Sequence, residues 1–150
     1  MKIEIISLGK FKKNPPLKIV FDYYKKRISL NVDLIELKTY DYENKKKLHY
    51  EKKEIYKYLK SSDCVVVLDK NGKMLSSENF AAFFEKKMLS QTKKICFLIG
   101  SEIGLEKSFL NSKNVFSFGQ QTWPHLIVRV LLIEQIYRSM EILNGSSYHK

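Results

Sequence analysis

The chain has 150 residues, with 27 Lys and Arg against 16 Asp and Glu and a formal net charge of +11. Its hydrophobic content of 44%, including 9 Phe and 9 Tyr, supports a real core, excludes wholesale disorder and fits one domain over residues 1–150. There is no N-terminal signal pattern and no uncharged apolar run of about 18 residues, so the sequence reads as a cytoplasmic protein without a membrane partner.

In chain order, "KIEIISL" predicts a strand closed by Gly9. "NPPLKIVFDYYKKRI" predicts a helix opened by Asn14 and its prolines, with Leu17, Val20, Phe21 and Tyr24 as the apolar face. "VDLIEL" alternates as a second strand. "ENKKKLHYEKKEIYKYLKSS" predicts a helix with a narrow stripe of Leu48, Ile55, Tyr58 and Leu59, solvated elsewhere. "CVVVLD" and "KICFLIG" are short, wholly apolar runs, as in strands buried on both faces, and their Cys64 and Cys96 read as buried, reduced thiols. Between them, "KNGKMLSS" predicts a turn, with Ser76 or Ser77 capping the helix of "ENFAAFFEKKML". "NVFSFG" is a shorter fifth strand, followed by the loop "QQTWP" and the apolar helix "HLIVRVLLIEQIYRSMEIL". This alternation predicts an α/β fold, with a mostly parallel five- to six-stranded sheet and helices on both faces.

Ligands bind open parallel sheets beyond the carboxyl ends of the strands. Three such ends carry loop-forming residues: 68–72 ("LDKNG"), 100–104 ("GSEIG") and 118–123 ("FGQQTW"). No dinucleotide or P-loop glycine fingerprint is present, which argues against a small-molecule enzyme on a flavodoxin-like sheet. The three histidines, His49, His125 and His149, lack companions for a metal site, and His49 reads as solvated.

Arginine occurs only at Arg27, Arg129 and Arg138, and two of these lie in the last, apolar helix. His125 and Arg129 share one face of that helix, and Glu134 and Arg138 share another. The second pair reads as a buried ion pair, within the chain or across a subunit interface; the first reads as a ligand or substrate contact. The terminal "SSYHK" reads as a frayed end, or as aromatic, imidazole and ammonium groups suited to a base and its phosphate. The basic excess favours a polyanionic partner, nucleic acid above all, unless it is only a lysine-rich habit of composition.

The segments "FLIGSEIGL", "FGQQTWPHLIVRVLLIEQIYR" and terminal "YHK", with the "MKI" start and "LD" through "GKMLSS", resemble the ribosomal RNA large subunit methyltransferase H family of the SPOUT class. The resemblance implies a C-terminal trefoil knot and an enzyme that moves a methyl group from S-adenosyl-L-methionine to N3 of a pseudouridine in 23S rRNA. It implies cofactor contacts at Leu68, Gly100, Phe118, Gly119, Gln120, Gln121, Thr122 and Trp123. It also implies a homodimer packed through the C-terminal helix, with the ribosome rather than DNA as partner. Substrate-facing groups would come from His125, Arg129, Arg138, Tyr148 and His149, and RNA contacts from lysines including Lys45–Lys47 and Lys52–Lys53. Ser101 stands where the family commonly has a second glycine. A non-enzymatic, ribosome-associated RNA-binding protein is the alternative that the charge alone supports.

Overall fold

Five strands form one sheet: β1 (Lys2–Leu8), β2 (Asn31–Leu37), β3 (Cys64–Met74), β4 (Lys94–Ile99) and β5 (Val115–Ser117). In this computed structural model, which describes residues 1–59 and 61–150 with Lys13 as backbone only, their order is β2-β1-β4-β3-β5 and every pairing is parallel. Four helices, α1 (Pro15–Lys25), α2 (Asn44–Leu59), α3 (Ser77–Leu89) and α4 (His125–Leu143), cover it.

The central strands are mostly apolar where both faces are buried, with Glu4 and Ser7 of β1 as buried polar exceptions. Ile3, Ile5, Val66, Ile95 and Phe97 face α1, α3 and α4, where they meet Phe21, Phe80, Phe84, Leu132 and Ile136. Ile6, Leu8, Val67 and Leu98 face the other way, against Ile55 of α2 and Phe109 of a 3-10 turn (Lys107–Asn111). Each such side chain contributes about 1.5–3 kcal/mol on burial. Cys64 and Cys96 are buried free thiols, and burial pushes the Cys96 thiol up to about 12.

Capping residues set the helix starts. Asn14 Oδ1 accepts from Leu17 N at 3.4 Å, and the two prolines occupy the first turn, where a missing N–H costs nothing. Ser76 rather than Ser77 caps α3, accepting from Asn79 N at 3.2 Å. On α1 the apolar face is narrower than the spacing predicts, since Phe21 is buried but Val20 is exposed.

Two expectations need correction. β3 does not end at Asp69 but runs on to Met74: Leu68 and Lys73 both face Phe116, so residues 69–72 bulge outward while the strand continues. The turn chemistry survives inside the bulge, where Asn71 N donates to Asp69 Oδ1 at 2.9 Å. α2 is not solvated around all but an apolar stripe. Lys47, Glu51 and Ile55, spaced four apart, form its buried face, while Tyr58 is exposed. Lys60, in the stretch assigned to this helix, lies outside the described residues. Among the described residues no helix is long and apolar enough to cross a membrane.

α4 packs against both α1 and α3. Its buried side is Arg129, Leu132, Ile133, Ile136, Ser139 and Met140. The opposite side, including Ile127, Leu131 and Ile142, is half-buried.

Candidate active site at three strand ends

The bulge of β3, the carboxyl ends of β4 and β5 and the first turn of α4 line a cavity of about 310 Å³, within the size range of small-ligand sites. Leu68, Ile99, Phe116, Phe118 and Val128 give it apolar walls, and Asp69, Lys70, Glu102 and His125 bring charge or a titratable group to the lining. This is the strand-end position that open parallel sheets use for ligands.

The loops are held tightly. Gly100 abuts Gly104 so closely that a Cβ there would lie 2.5 Å from the Gly104 carbonyl carbon, and Gly104 N donates to Ser101 O at 2.9 Å. Gly119 sits at φ +113, which a side chain rarely adopts. Ser117 Oγ lies 2.7 Å from Gly119 O and 3.2 Å from Lys70 O, joining two of the three loops. Trp123 is 40% exposed at the rim and donates Nε1–H to Phe118 O at 3.4 Å.

Of the residues expected to hold a cofactor, Leu68, Gly100, Phe118, Gly119, Gln121, Thr122 and Trp123 line this cavity and Gln120 does not. The expected substrate-facing residues divide. His125 lines the cavity. Arg129 does not: its side chain is wholly buried, donating to Glu36 Oε1 at 2.8 Å, Leu8 O at 2.6 Å and Gly9 O at 3.0 Å. Burial lowers its pKa and Glu36 opposes that shift. The expectation of a ligand contact at Arg129 is thus corrected: its anion is Glu36, which also accepts from Phe11 N at 2.6 Å.

Arg138, Tyr148 and His149 gather around Glu134 instead, about 14 Å along the helix from His125 at 1.5 Å per residue. Arg138 Nε donates to Glu134 Oε1 at 2.9 Å, making the intrachain ion pair, and Tyr148 Oη donates to the same oxygen at 3.0 Å. Tyr148 packs edge-on to Tyr137, and burial followed by hydrogen bonding to Tyr24 and Glu134 raises its pKa. His149 Nε2 lies 2.9 Å from Glu78 Oε1 at the start of α3. The backbone there, and then His149, hold the Glu78 carboxyl down at about 2. The tail is therefore folded back and tied down rather than frayed.

The sequence reading missed the support behind the cavity. Ser101 Oγ donates to buried Glu51 Oε2 at 3.0 Å, and Lys47 pairs with Glu102, so one face of α2 grips two consecutive loop residues. Burial raises the Glu51 pKa, partly offset by the Ser101 bond, while Lys47 lowers that of Glu102. The i, i+4 spacing of Lys47, Glu51 and Ile55 was the available signal. Lys47 is consequently not part of an RNA-facing lysine surface, and Lys52 pairs with Glu106 at 2.8 Å.

A family model described as "Predicted SPOUT methyltransferase" matches residues 1–149. The chain belongs to the SPOUT methyltransferase family. It is 38% identical over 160 aligned positions to the ribosomal RNA large subunit methyltransferase H of Clostridium botulinum (strain Langeland / NCTC 10281 / Type F), covering 100% of both chains. The enzyme of the same name from Clostridium novyi (strain NT) is 41% identical with the same coverage. In fold, the chain is similar to a methylase family protein from Haemophilus influenzae Rd KW20, with a TM-score of 0.56 and 13% identity over 99% of this chain and 70% of that one.

Proposed function

We propose that this protein is an S-adenosyl-L-methionine-dependent methyltransferase of the cytoplasm that modifies N3 of a pseudouridine in the 23S rRNA of the large ribosomal subunit. The observation that carries this reading is the cavity itself, built from three strand-end loops in a chain related end to end to methyltransferases of that name. The net charge of +11 fits an RNA substrate. The convergence of the loops on the start of α4 supports a knotted C-terminal half.

The residues present fit the cofactor. Apolar walls suit an adenine ring, backbone groups of the loops supply its hydrogen bonds, and the carboxylates of Asp69 and Glu102 suit a molecule bearing a sulfonium and an ammonium. When bound, S-adenosyl-L-methionine supplies an electrophilic methyl group. The protein has to hold a nucleobase nitrogen in line with it and help that imide nitrogen lose its proton. His125 is the imidazole on the cavity wall and is the chain's own candidate for handling the proton. Arg129 ties Gly9 and Glu36 to α4.

The half-buried apolar side of α4 supports a homodimer through this helix. Tyr148, His149 and Arg138 do not line their own cavity, and in this reading they complete the cavity of the partner subunit. Purified protein with methyl-labelled cofactor and large-subunit particles tests the proposal. Label should appear on a pseudouridine of the 23S rRNA, and transfer confined to unmodified uridine would refute the assignment.

A further inference from the structure

Three tyrosines meet on the surface where β2 passes into α2. Tyr40 and Tyr42 are stacked at 5.5 Å with planes 17° apart, and Tyr50 of α2 closes the triangle at 5.5 Å from Tyr40 and 5.4 Å from Tyr42. Rings that pack together usually do so to leave water, yet Tyr42 is 43% and Tyr50 38% exposed. Three ammonium groups lie by these rings: Lys46 Nζ 4.5 Å from the Tyr42 centroid, Lys38 Nζ 5.4 Å from Tyr40 and Lys53 Nζ 5.6 Å from Tyr50. None of the three lysines has a carboxylate partner among the described ion pairs. Asp41 and Glu43 are the acidic residues of the loop, and Glu54 lies against Tyr40.

Two contacts connect the segments that carry the cluster to the cavity. Thr39, the residue before Tyr40, and His125 both approach Gly9: a methyl built at Gly9 would lie 3.8 Å from Thr39 Cγ2 and 3.4 Å from His125 Nε2. Lys47, in the helix that carries Tyr50, is bonded to Glu102 of the cavity lining. The tyrosines therefore sit on two segments tied to the cavity lining, the loop after β2 and helix α2.

We infer that Tyr40, Tyr42 and Tyr50, with Lys38, Lys46 and Lys53, form a docking platform for an unpaired nucleotide of the RNA substrate next to the one that is methylated. The inference rests on the reading of the substrate as RNA. Aromatic faces stack on any base, and adjacent ammonium groups meet the phosphates that a base brings with it. Flat rings without cations would suit an apolar protein partner, and cations without rings would suit any polyanion; the combination selects single-stranded nucleic acid.

Ultraviolet cross-linking of the full chain to large-subunit particles and to a single-stranded oligouridine, followed by peptide mapping, tests the platform. Cross-links should concentrate on Tyr42 and Tyr50. The double variant Tyr42→Ala/Tyr50→Ala should raise the Kd for both RNAs about tenfold, the range of one lost base stack. The corresponding Phe variants should stay within about twofold, because stacking needs the ring and not the hydroxyl. Lys46→Glu/Lys53→Glu, which leaves the rings in place, should weaken both RNAs comparably and so guards against a folding artefact. Unchanged RNA affinity in the Ala and Glu variants would overturn the inference. So would loss of particle binding with oligouridine binding intact, which would mark a protein contact instead. Cross-links on these tyrosines in a protein that transfers no methyl group would refute the enzymatic reading and leave the platform standing.

Discussion

Arg129 of α4 and Glu36 of β2 form an ion pair at 2.8 Å in which the arginine side chain is wholly enclosed. Through Leu8 O, Gly9 O and Phe11 N the same two residues fasten the end of β1 and the turn after it. Truncating one member of a buried pair strands the other, at a cost of about 3–5 kcal/mol. Arg129→Ala should therefore lower the thermal midpoint by roughly 10 °C for a chain of this size. Glu36→Gln keeps an acceptor but leaves the enclosed guanidinium without its counter-ion, so it should lower the midpoint as well. Equal midpoints for Arg129→Ala and wild type would mean that the guanidinium is not held as described.

Glu51 gives a stability that depends on pH. Its folded pKa is raised by burial, so the folded state holds the proton more tightly than the unfolded chain does. By linkage, stability falls as pH climbs from the ordinary carboxylate value through the raised one, and the penalty is complete above it. Glu51→Gln can still accept from Ser101 and carries no charge. It should flatten that fall, matching wild type in acid and equalling or exceeding it at alkaline pH in denaturant titrations. A parallel pH dependence in both proteins would contradict this account of Glu51.

The frame of this molecule was readable because its strands are apolar runs bounded by turn residues and its helices begin at Asn14 and Ser76. Two loops of the cavity were readable for the same reason, since they follow the ends of β4 and β5, and the third was placed rightly although it is a bulge within β3. The rest depends on contacts that join residues far apart in the chain. Glu36 and Arg129 are 93 positions apart, and Glu51 and Ser101 are 50. No periodicity connects such pairs, so Arg129 looked like a ligand contact and α2 looked like a solvated helix. β3 was cut short because the polar residues 69–72 read as a turn, whereas pairing with β5 absorbs them as a bulge.

Trp123 is the sole tryptophan and lines the cavity, so its fluorescence should report cofactor binding. Gly100→Ala would force its Cβ against the Gly104 backbone and push the 100–104 loop open. The variant should bind S-adenosyl-L-methionine at least about tenfold more weakly, a loss of about 1.4 kcal/mol or more. Wild-type affinity in Gly100→Ala would show that this loop does not touch the ligand.

Sharing of sites between subunits is testable by mixing. A chain lacking residues 148–150 should keep its affinity for S-adenosyl-L-methionine within about twofold, under about 0.5 kcal/mol, yet lose methylation. His125→Ala should lose methylation by damaging the cavity instead. Random exchange of the two inactive proteins should restore about a quarter of wild-type activity, since half the dimers are mixed and each rebuilds one site. No recovery from a mixture shown to exchange subunits would place the tail's action within its own chain, or nowhere.

Calorimetric titration of the wild-type protein with S-adenosyl-L-methionine tests the central claim most directly, because the three-loop cavity is assigned to that ligand and needs no RNA to form. The account predicts a one-site isotherm with one cofactor per chain. A folded protein that gives no binding heat across a range of temperatures, while still binding RNA in a salt-dependent way, would contradict it and leave a basic RNA-binding protein in place of the enzyme.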